Sequence, residues 1–424
     1  MKKIFLLLTL VGIGLGLFAQ AGNYSPYSRF GIGKLRSEGV NAQSRSMGGI
    51  ANALPSQNYI NMANPASYAA IDSLTFLFDA GFRMSSVTYK TTTLDESASS
   101  ASLEYITMGF SLGKWWKFAL GLMPYSDVGY NVIIKESTPE LGRHNTAFVG
   151  NGGINKMVLG NAFRINENFS VGVNANYLFG SNNTSTILYF PDSIYMLNDK
   201  RESKLFFRNF TFDVGILYSV KLKNDLELNL GLKYSPRLKQ NIKQELFIRS
   251  MFYGAEGDVE YLVDTIKYRS KQKIKMTMPQ RIGLGAVIQK DTRWLVGLDI
   301  NWANWKDFKV GSTSDSLQNA WNVAVGGQFT PSHTSISKYW KRLTYRAGLR
   351  YDQTYLKING NPINEFGISF GLGLPMPRTQ STFNIGLEVG QSGTTADGLI
   401  RETFVNFTVG ISISERWFVK RRYN

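Results

Sequence analysis

The chain has 424 residues, of which 47 are Lys or Arg and 31 are Asp or Glu, so its formal net charge is +16. It contains no cysteine and only two histidines. This composition excludes disulfides, thiol catalysis and cysteine-ligated metal sites, and it disfavours a multi-histidine metal centre. Glycine is abundant at 41 residues, and 27 Phe and 21 Tyr accompany it without any long helical pattern, which predicts a large all-β protein.

The first 21 residues have the features of an export signal. Lys2 and Lys3 precede an uncharged apolar run over residues 4–18, and Ala19-Gln20-Ala21 has the small-x-small pattern of a cleavage site. We therefore predict a secretory signal peptide over residues 1–21. The run is shorter than the stretch of about 20 residues that a spanning helix needs. A retained membrane anchor is the alternative interpretation.

One pattern recurs along the rest of the chain, in which large apolar residues alternate with Gly, Ser, Asn or charged residues. In the segment 169–179, Phe169, Val171 and Val173 begin one side, and Ser170 and Gly172 begin the other. Side chains of a strand point alternately to its two faces, so each such segment is a strand with one apolar and one small, polar face. Fourteen segments of this kind begin near residues 74, 103, 117, 155, 169, 206, 226, 280, 294, 320, 341, 365, 382 and 403.

These segments predict an all-β fold, a 14-stranded antiparallel transmembrane β-barrel. Each is close to the 9–11 residues of a tilted membrane strand; twelve or sixteen strands stay open, since bacterial single-chain barrels have even numbers. A soluble β-sandwich would show the same alternation with its apolar face inward. The barrel is favoured by long apolar faces, by glycines and charges on the opposite face, and by aromatic residues at strand ends. These aromatic residues include Trp115, Trp116, Tyr234, Trp305 and Tyr351.

The connections between the segments alternate between short and long. Tight turns are predicted near 167–168, 223–225 and 291–292, and long polar loops over 86–102, 136–150, 183–205, 236–275 and 306–319. Outer-membrane barrels have short periplasmic turns and longer outer loops. Residues 246–253 and 259–268 are predicted to be strands of an outer hairpin that extends beyond the membrane. His144 and His333 fall in predicted outer loops, as solvated residues.

A basic cluster lies at the end of this predicted hairpin. It consists of Lys267, Arg269, Lys271, Lys273 and Lys275, and spacing at every second residue would put all five on one face of an extended segment. The expected partners of such basic loops are outer-membrane lipid and lipopolysaccharide, through their phosphates. Nucleic acid is not an expected partner, because the remaining charge is dispersed and no recognition module is visible.

Residues 22–70 lack the alternation seen in the rest of the chain. Glycines punctuate this segment and Pro55 and Pro65 interrupt it, yet apolar residues such as Tyr24, Met47 and Ile60 are too frequent for typical disorder. We predict that residues 22–70 form a hatch, or plug, inside the lumen of a barrel formed by residues 71–424. A disordered leader is the alternative.

Several stretches stand in a recognisable order along the chain. They are Met47-Gly48-Gly49-Ile50-Ala51-Asn52-Ala53, Asn64-Pro65-Ala66-Ser67, Gly121-Leu122-Met123-Pro124-Tyr125, Ala162-Phe163-Arg164-Ile165-Asn166, Pro279-Gln280-Arg281-Ile282-Gly283-Leu284-Gly285 and Tyr345-Arg346-Ala347-Gly348. Together they resemble the FadL/TodX long-chain fatty-acid transport family of outer-membrane barrels, as a divergent member. The resemblance implies a fourteen-stranded barrel closed by an N-terminal hatch, with Gly48, Gly49, Asn64, Pro65 and Ala66 as hatch residues.

Two segments depart from that family. The start of the mature chain carries Ser25-Pro26-Tyr27-Ser28-Arg29-Phe30-Gly31-Ile32-Gly33, and the end, Arg416-Trp417-Phe418-Val419-Lys420-Arg421-Arg422-Tyr423-Asn424, runs past the last strand with basic residues. Each is a candidate docking segment for other outer-membrane proteins.

The candidate site residues lie on predicted strands and in the hatch. Eight charged residues are expected to face the lumen, where they would pair with each other, fix the hatch or simply be hydrated: Asp79, Arg83, Asp213, Lys233, Asp299, Arg346, Arg350 and Glu388. Pro124 cannot donate to a strand ladder, and with Asp127 and Gly129 it marks a candidate lateral opening after the third strand.

The resemblance to the FadL/TodX family implies the predicted function, and the plugged barrel with this opening suggests the route. We expect a channel of the cell outer membrane for hydrophobic solutes such as long-chain fatty acids, with hatch-gated passage and lateral exit into the membrane. The alternative is a non-transporting barrel subunit of an outer-membrane protein assembly or secretion complex. No catalytic set, metal site or cofactor is predicted, and the protein is not expected to be an enzyme.

Overall fold

The computed structural model describes residues 25–36, 39–140, 142–192, 196–253, 260–291, 293–311, 317–333, 335 and 338–416. The predicted signal peptide over residues 1–21 and the residues after Arg416 lie outside the described residues. No helix in the described part of the chain is long and apolar enough to cross a membrane.

After an irregular start, the described chain is almost entirely β-structure. Helical turns cover Pro26–Arg29, Ala42–Arg45, Pro65–Ala70, Trp305–Asp307, Tyr339–Arg342 and Ala396–Gly398. The strands are β1 (Lys34–Leu35), β2 (Thr75–Lys90), β3 (Asp95–Ser111), β4 (Trp116–Thr138), β5 (Gly142–Arg164), β6 (Phe169–Tyr189), β7 (Asn198–Lys221), β8 (Leu226–Ser235), β9 (Leu238–Tyr253), β10 (Glu260–Met278), β11 (Arg281–Lys290), β12 (Trp294–Ala303), β13 (Lys309–Val310), β14 (Ala320–Phe329), β15 (Thr344–Ile358), β16 (Asn361–Pro375), β17 (Thr382–Ser392) and β18 (Arg401–Arg416).

Fourteen of these strands form one closed antiparallel wall: β2–β8, β11, β12 and β14–β18. The wall closes where β18 pairs with β2, from Arg401 opposite Lys90 to Arg416 opposite Thr75. Each of the fourteen segments predicted from the sequence overlaps one wall strand. The prediction of a 14-stranded barrel is therefore confirmed.

The apolar face of the wall points outward. In β7, Phe212 and Val214 are 44% and 38% exposed, whereas Asp213 between them is 1% exposed. In β12, Leu298 is 41% exposed and the neighbouring Asp299 is buried. A soluble sandwich would bury the apolar set instead, so that alternative is wrong, and the outward surface is suited to hydrocarbon.

One side of the barrel is about twice as tall as the other. Strands β4–β7 have 21 to 24 residues, whereas β8, β11, β12 and β14 have 10 each. On the tall side, β9 and β10 continue the β8–β11 hairpin upward, and β7 pairs first with β8 and then with β9. The hairpin predicted from residues 246–253 and 259–268 therefore forms, with its second described strand beginning at Glu260. Much of the stretches 86–102, 136–150 and 183–205 is also strand, so their prediction as loops was wrong.

The physical reason is that these outer extensions lie beyond the apolar band of the wall, so their outward face no longer contacts hydrocarbon. The alternation of apolar and polar residues, which marks the membrane part of each strand, is no longer required there. A stretch such as Asp95–Ser102 can therefore pair with β2 and still read as a polar loop.

Three side chains lie in surroundings that differ from the prediction. His144 is buried in β5, where Nε2 lies 3.5 Å from Glu136, so it is not a solvated loop residue. His333 follows β14 at the end of the barrel where Thr330 pairs with Arg293 beside a tight turn, and this is the end opposite to the tall extensions. Trp305 is buried in a lumenal cluster rather than placed in an aromatic girdle.

The residues before β2 lie inside the barrel. Residues 25–36 and 39–74, called the plug segment below, contact wall strands on all sides. The turn Pro65–Ala70 contacts β4–β7, and the helix Ala42–Arg45 contacts β16–β18. Between them, Met47 lies against β14 and β15, and Asn52 against β8 and β11. A segment that reaches strands all around a closed wall occupies its lumen.

Candidate functional site: the plug segment and a seam in the wall

The plug segment contacts the wall so closely that glycine is required at the contact points. Gly48 has φ +72, and its N–H donates to Ser369 Oγ in β16 at 2.8 Å. A Cβ added to Gly348 of β15 would lie 2.1 Å from the backbone nitrogen of Gly48. Gly49 also has a positive φ, +89, and its open side faces a cavity. The two predicted hatch glycines thus lie in a tight turn pressed against the wall.

Asn64, Pro65 and Ala66 lie at the opposite side of the lumen. The Asn64 side chain caps the turn Pro65–Ala70 by accepting from the Ala66 N–H at 3.1 Å. Its amide also donates to the carbonyl oxygens of Asn52 at 2.6 Å and of Ile216 in β7 at 3.1 Å. One side chain therefore links the turn, the rest of the plug segment and the wall near the short-turn end of β7.

Asp299 is a second anchor for the plug segment. Its Oδ2 accepts the backbone N–H groups of Ala51 at 2.6 Å and Asn52 at 2.8 Å. The two hydrogen bonds partly offset the cost of burying the carboxylate, and neither N–H is left without a partner.

A network of ion pairs joins the plug segment to the wall near β2, β3 and β17. Arg45 of the plug segment donates to Glu104 of β3, and its other nitrogen lies 3.9 Å from Glu388 of β17. Arg83 of β2 lies 3.7 Å from Glu104 and 4.0 Å from Glu388. Arg350 of β15 donates to Glu388 at 2.6 Å. Three cations thus share two buried carboxylates.

The other predicted lumen charges mostly contact the wall itself. Asp79 accepts from the Tyr105 hydroxyl at 3.2 Å, and Asp213 accepts from the Asn176 amide at 2.8 Å. Arg346 donates to Asn384 at 2.9 Å, and Lys233 lines the cavity. All eight predicted residues lie on the lumen side of the wall, and Asp79, Asp299 and Glu388 also contact the plug segment, Asp79 by accepting the Ile60 N–H.

The ladder between β3 and β4 is incomplete. It contains six residue pairs, from Ser111 opposite Lys117 to Ile106 opposite Leu122. Beyond that point β3 stays paired with β2 and β4 stays paired with β5. The wall therefore has a seam between the upper halves of β3 and β4. The seam begins about seven residues above Trp116, roughly 16 Å for a strand tilted by 45°, which is within the thickness of a bilayer.

Pro124 lies where the seam begins. Proline has no N–H to donate across a ladder, and a bulge at Tyr125 follows it, between the pairs that Pro124 and Ser126 make with β5. Tyr125 is buried in the lumenal cluster. The predicted candidate for a lateral opening, with Asp127 and Gly129 just above, therefore lies along the seam.

The plug segment covers the free edge of β4. Strand β1 pairs with it, Lys34 opposite Asp127 and Leu35 opposite Ser126. Above that, the Ser25 N–H donates to the Gly129 carbonyl at 2.7 Å. Ser25 and its neighbours up to Gly33 are thus used inside the barrel, and docking of other proteins by this segment stays a prediction. The C-terminal docking candidate, after Arg416, lies outside the described residues.

Tyr27 and Lys34 fix this part of the plug segment to the start of β18 and the residue before it. Burial raises the pKa of Tyr27 to about 12, so its hydroxyl stays protonated and donates to the Ile400 carbonyl. Burial alone would lower the pKa of Lys34, but the charges of Glu402 and Glu365 outweigh it and the pKa is raised. Lys34 therefore stays cationic at neutral pH, and its Nζ lies 2.8 Å from Glu402.

A cavity of about 350 Å³ lies in the lumen beside the plug segment. One part of its lining is aromatic and includes the buried side chains of Trp305, Tyr355 and Phe404. The other part is charged, with seven cationic side chains (Lys34, Arg36, Arg45, Arg83, Lys233, Arg281 and Arg350) and five anionic ones (Asp299, Asp352, Glu365, Glu388 and Glu402). The cavity is therefore amphiphilic, with a small cationic excess.

Sequence reasoning missed Arg36, Glu104 and Glu402. Glu104 was not recognised as a lumen charge because it is the extra residue of a β-bulge: Gly81 pairs with Tyr105, and the next residue of β2, Phe82, pairs with Leu103. The bulge turns both Glu104 and Tyr105 inward. Strict alternation would have placed the two on opposite faces. Glu402 is an inward residue of β18 within a segment whose alternation was recognised only from residue 403 onward.

Comparison with known proteins finds solved structures of similar fold and one matching family model. The fold is similar to that of the CymD monoaromatic hydrocarbon channel (TM-score 0.60, 13% identity, 90% of this chain and 99% of that one). It is also similar to the toluene transporter TbuX of Ralstonia pickettii (TM-score 0.58, 13% identity, 90% of this chain and 100% of that one). A FadL homologue of Pseudomonas aeruginosa is similar as well (TM-score 0.58, 14% identity, 89% of this chain and 98% of that one). The predicted FadL/TodX-type fold is therefore confirmed.

No curated protein matches the sequence. The family model named BamG, in contrast, matches residues 1–424. A match over the whole chain shows the family, so this protein belongs to the BamG family.

Proposed function

We propose that the protein is an outer-membrane channel through which an apolar or amphiphilic solute passes from the outer surface into the membrane. The observation that carries the proposal is the seam between β3 and β4, which begins at bilayer depth and is covered, in the described part of the chain, by the plug segment. A plugged barrel has no straight pore, so a solute that reaches the cavity would leave through this seam. The names of the structurally similar proteins, a hydrocarbon channel and a toluene transporter, support a hydrophobic cargo.

The cavity lining favours a solute with an apolar body and an anionic head. The aromatic part would bury the body, and the excess of cations over anions would attract a carboxylate. A long-chain fatty acid has this chemistry, whereas an uncharged hydrocarbon would leave the charged part of the lining unused. The plug segment would act as the gate, because it occupies both the lumen and the free edge of β4.

Uptake measurements test this proposal. Labelled oleate and labelled toluene would be offered to cells that lack the protein and to cells complemented with the wild type, with Arg36→Ala or with Arg143→Ala. Arg36 contacts both sides of the seam, whereas Arg143 forms an exposed ion pair with Asp192 on an outer extension and serves as the matched control. We expect uptake of oleate to fall without the protein and to rise with Arg36→Ala alone. Equal uptake of both substrates by all four strains would contradict transport.

A second function, a non-transporting barrel subunit of an outer-membrane protein assembly, is favoured by membership of the BamG family. The ion pairs and hydrogen bonds that fix the plug segment on several sides support it too, since a scaffold has no need for a moving plug. Purification in mild detergent separates the two functions. Partner proteins in fixed stoichiometry favour the subunit, and a lone barrel with bound lipid favours the channel.

A further inference from the structure

Strand β10 has one free edge. Strand β9 pairs with it along its length, from Tyr253 opposite Glu260 to Leu238 opposite Met278. On its other side the described chain offers only β13, which pairs at Met276 and Thr277. Between Glu260 and Ile274 the backbone N–H and C=O groups of that edge have no strand beside them in the described part of the chain. Such an edge is a template for another extended chain.

The same stretch exposes large apolar side chains. Every residue from Glu260 to Lys273 is exposed, and Leu262, Ile266 and Tyr268 are each more than half exposed. In the membrane part of the wall such residues face lipid, but this stretch lies outside it. Exposed edges usually carry few apolar side chains, because these promote unwanted association.

The height of the stretch follows from the hairpin. Strand β11 begins at Arg281, opposite Ser235, and its ten residues match the membrane part of the wall. Lys275 and Lys267 lie six and fourteen residues above Arg281. At about 3.3 Å per residue and a tilt of about 45°, these residues lie roughly 15 to 30 Å above the apolar band. A headgroup layer extends only about 5–8 Å beyond the hydrocarbon.

The five cations on this stretch border the free edge on both faces. A bulge between Arg269 and Gln272, with Lys271 at φ +37, resets the alternation. Before the bulge, Lys267 and Arg269 lie opposite the even-numbered Ile248 and Leu246 of β9. After it, Lys273 and Lys275 lie opposite the odd-numbered Lys243 and Asn241, whose side chains point to the other face of the sheet. The prediction that all five lie on one face was therefore wrong.

These cations also differ from the charges near the hairpin tip. Glu260 is neutralised by Lys200 at 2.6 Å and Arg249 at 2.9 Å. Among the described residues, by contrast, none of the five cations forms an ion pair, and Lys271 lies only over the ring of Phe206. Their charge is left for a partner.

We propose that the free edge of β10 binds an extended, acidic segment of a partner protein at the outer surface, which adds to the sheet as a further strand. The edge would supply backbone hydrogen bonds, the exposed apolar residues would pack against the partner's alternate side chains, and the cations on both faces would pair with its carboxylates. A second copy of this chain is disfavoured, because pairing about residue 271 would bring like charges together. Lipid phosphates are disfavoured by the height. The inference does not depend on whether the lumen conducts a solute.

Synthetic peptides test this proposal on the purified full-length protein in detergent. Binding of three peptides, each about twelve residues long, would be compared by fluorescence anisotropy. The first is an acidic peptide in which Glu alternates with Val and Tyr, and the second is a basic peptide with Lys in place of Glu. The third is the acidic peptide with its backbone nitrogens methylated at alternate residues. We expect the acidic peptide to bind about tenfold or more tightly than the basic one, and N-methylation to weaken binding by a similar factor. Equal binding of the methylated peptide would overturn strand addition.

Two variants localise the binding. The double variant Lys273→Glu with Lys275→Glu is expected to bind the acidic peptide about tenfold more weakly. The matched double variant Lys221→Glu with Lys223→Glu, near the opposite end of the barrel, is expected to bind it with unchanged affinity. Both proteins would be checked for the altered gel mobility of a folded barrel. Unchanged binding in the first variant would contradict the proposal. Displacement of the acidic peptide by vesicles of phosphatidylglycerol and phosphatidylcholine would also overturn it, in favour of a phosphate site.

Discussion

Arg36 and Asp127 meet at the seam, and their contact links the plug segment to the free edge of β4. Arg36 donates from Nε to Asp127, and from Nη2 to Ser102 Oγ of β3 at 3.1 Å. At this level the β3–β4 ladder has already ended, so a side chain from the plug segment bridges the two strands in place of backbone hydrogen bonds. The closure of the wall and the position of the plug are thus coupled through one guanidinium.

Replacing Arg36 by Ala is expected to loosen both partners. The pair is partly buried, so its loss would cost about 1–2 kcal/mol, below the value for fully buried pairs. Hydrogen exchange of residues 25–35 and 123–130 would then rise about 5–30-fold. The exposed pair of Arg143 and Asp192 provides the control, since Arg143→Ala should leave exchange at these residues unchanged. Unaltered exchange in Arg36→Ala would show that the plug is held elsewhere.

Asp299→Ala tests the second anchor. The substitution leaves the N–H groups of Ala51 and Asn52 without their acceptor inside the lumen, and each unsatisfied buried donor costs about 1–3 kcal/mol. We expect protease sensitivity of the plug segment around residues 50–56 while the barrel itself remains folded. Asp95→Ala, which removes an exposed carboxylate 3.8 Å from Lys90, is the control and should not alter cleavage.

The membrane part of the fold could be predicted because lipid imposes a rule on every second residue. Asp213 between Phe212 and Val214, or Asp299 beside Leu298, can only face inward once the apolar neighbours face hydrocarbon. The strand count and the lumenal side of the eight charged residues followed from this one rule. The position of Pro124 at the seam also followed from a local property, the missing N–H.

The rest of the site depends on contacts that leave no local pattern. Ser25 pairs with Gly129 and Tyr27 with Ile400, partners about 100 and 373 residues away in the sequence. Bulges at Glu104 and near Lys271 change which face a side chain occupies, and alternation cannot reveal them. The outer strands were predicted as loops because their outward face lies beyond the hydrocarbon, where an apolar side chain at every second position is no longer required.

Gly348→Ala is expected to displace the plug from the wall. A Cβ at this position would lie 2.1 Å from the backbone of both Met47 and Gly48, and backbone atoms cannot rotate away as a side chain can. We expect residues 46–50 to become accessible to protease and to exchange hydrogen rapidly. Gly113→Ala, whose added Cβ has nothing within 4 Å, is the matched control. A protected plug in Gly348→Ala would mean that β15 can shift outward to accommodate the methyl group.

A double-mutant cycle at Arg45 and Glu104 tests the ion-pair network. Both side chains are buried, so Arg45→Met alone leaves a carboxylate with one cation fewer, and breaking such a pair costs about 3–5 kcal/mol. Replacing both, Arg45→Met with Glu104→Gln, removes the uncompensated charge and should restore much of the protection of residues 41–47 against hydrogen exchange. The restoration would be incomplete, because Arg83 also loses its contact with Glu104 at 3.7 Å. If the double variant exchanged as fast as the two single effects combined, Arg45 and Glu104 would not be coupled, and the plug would be held on that side by packing alone.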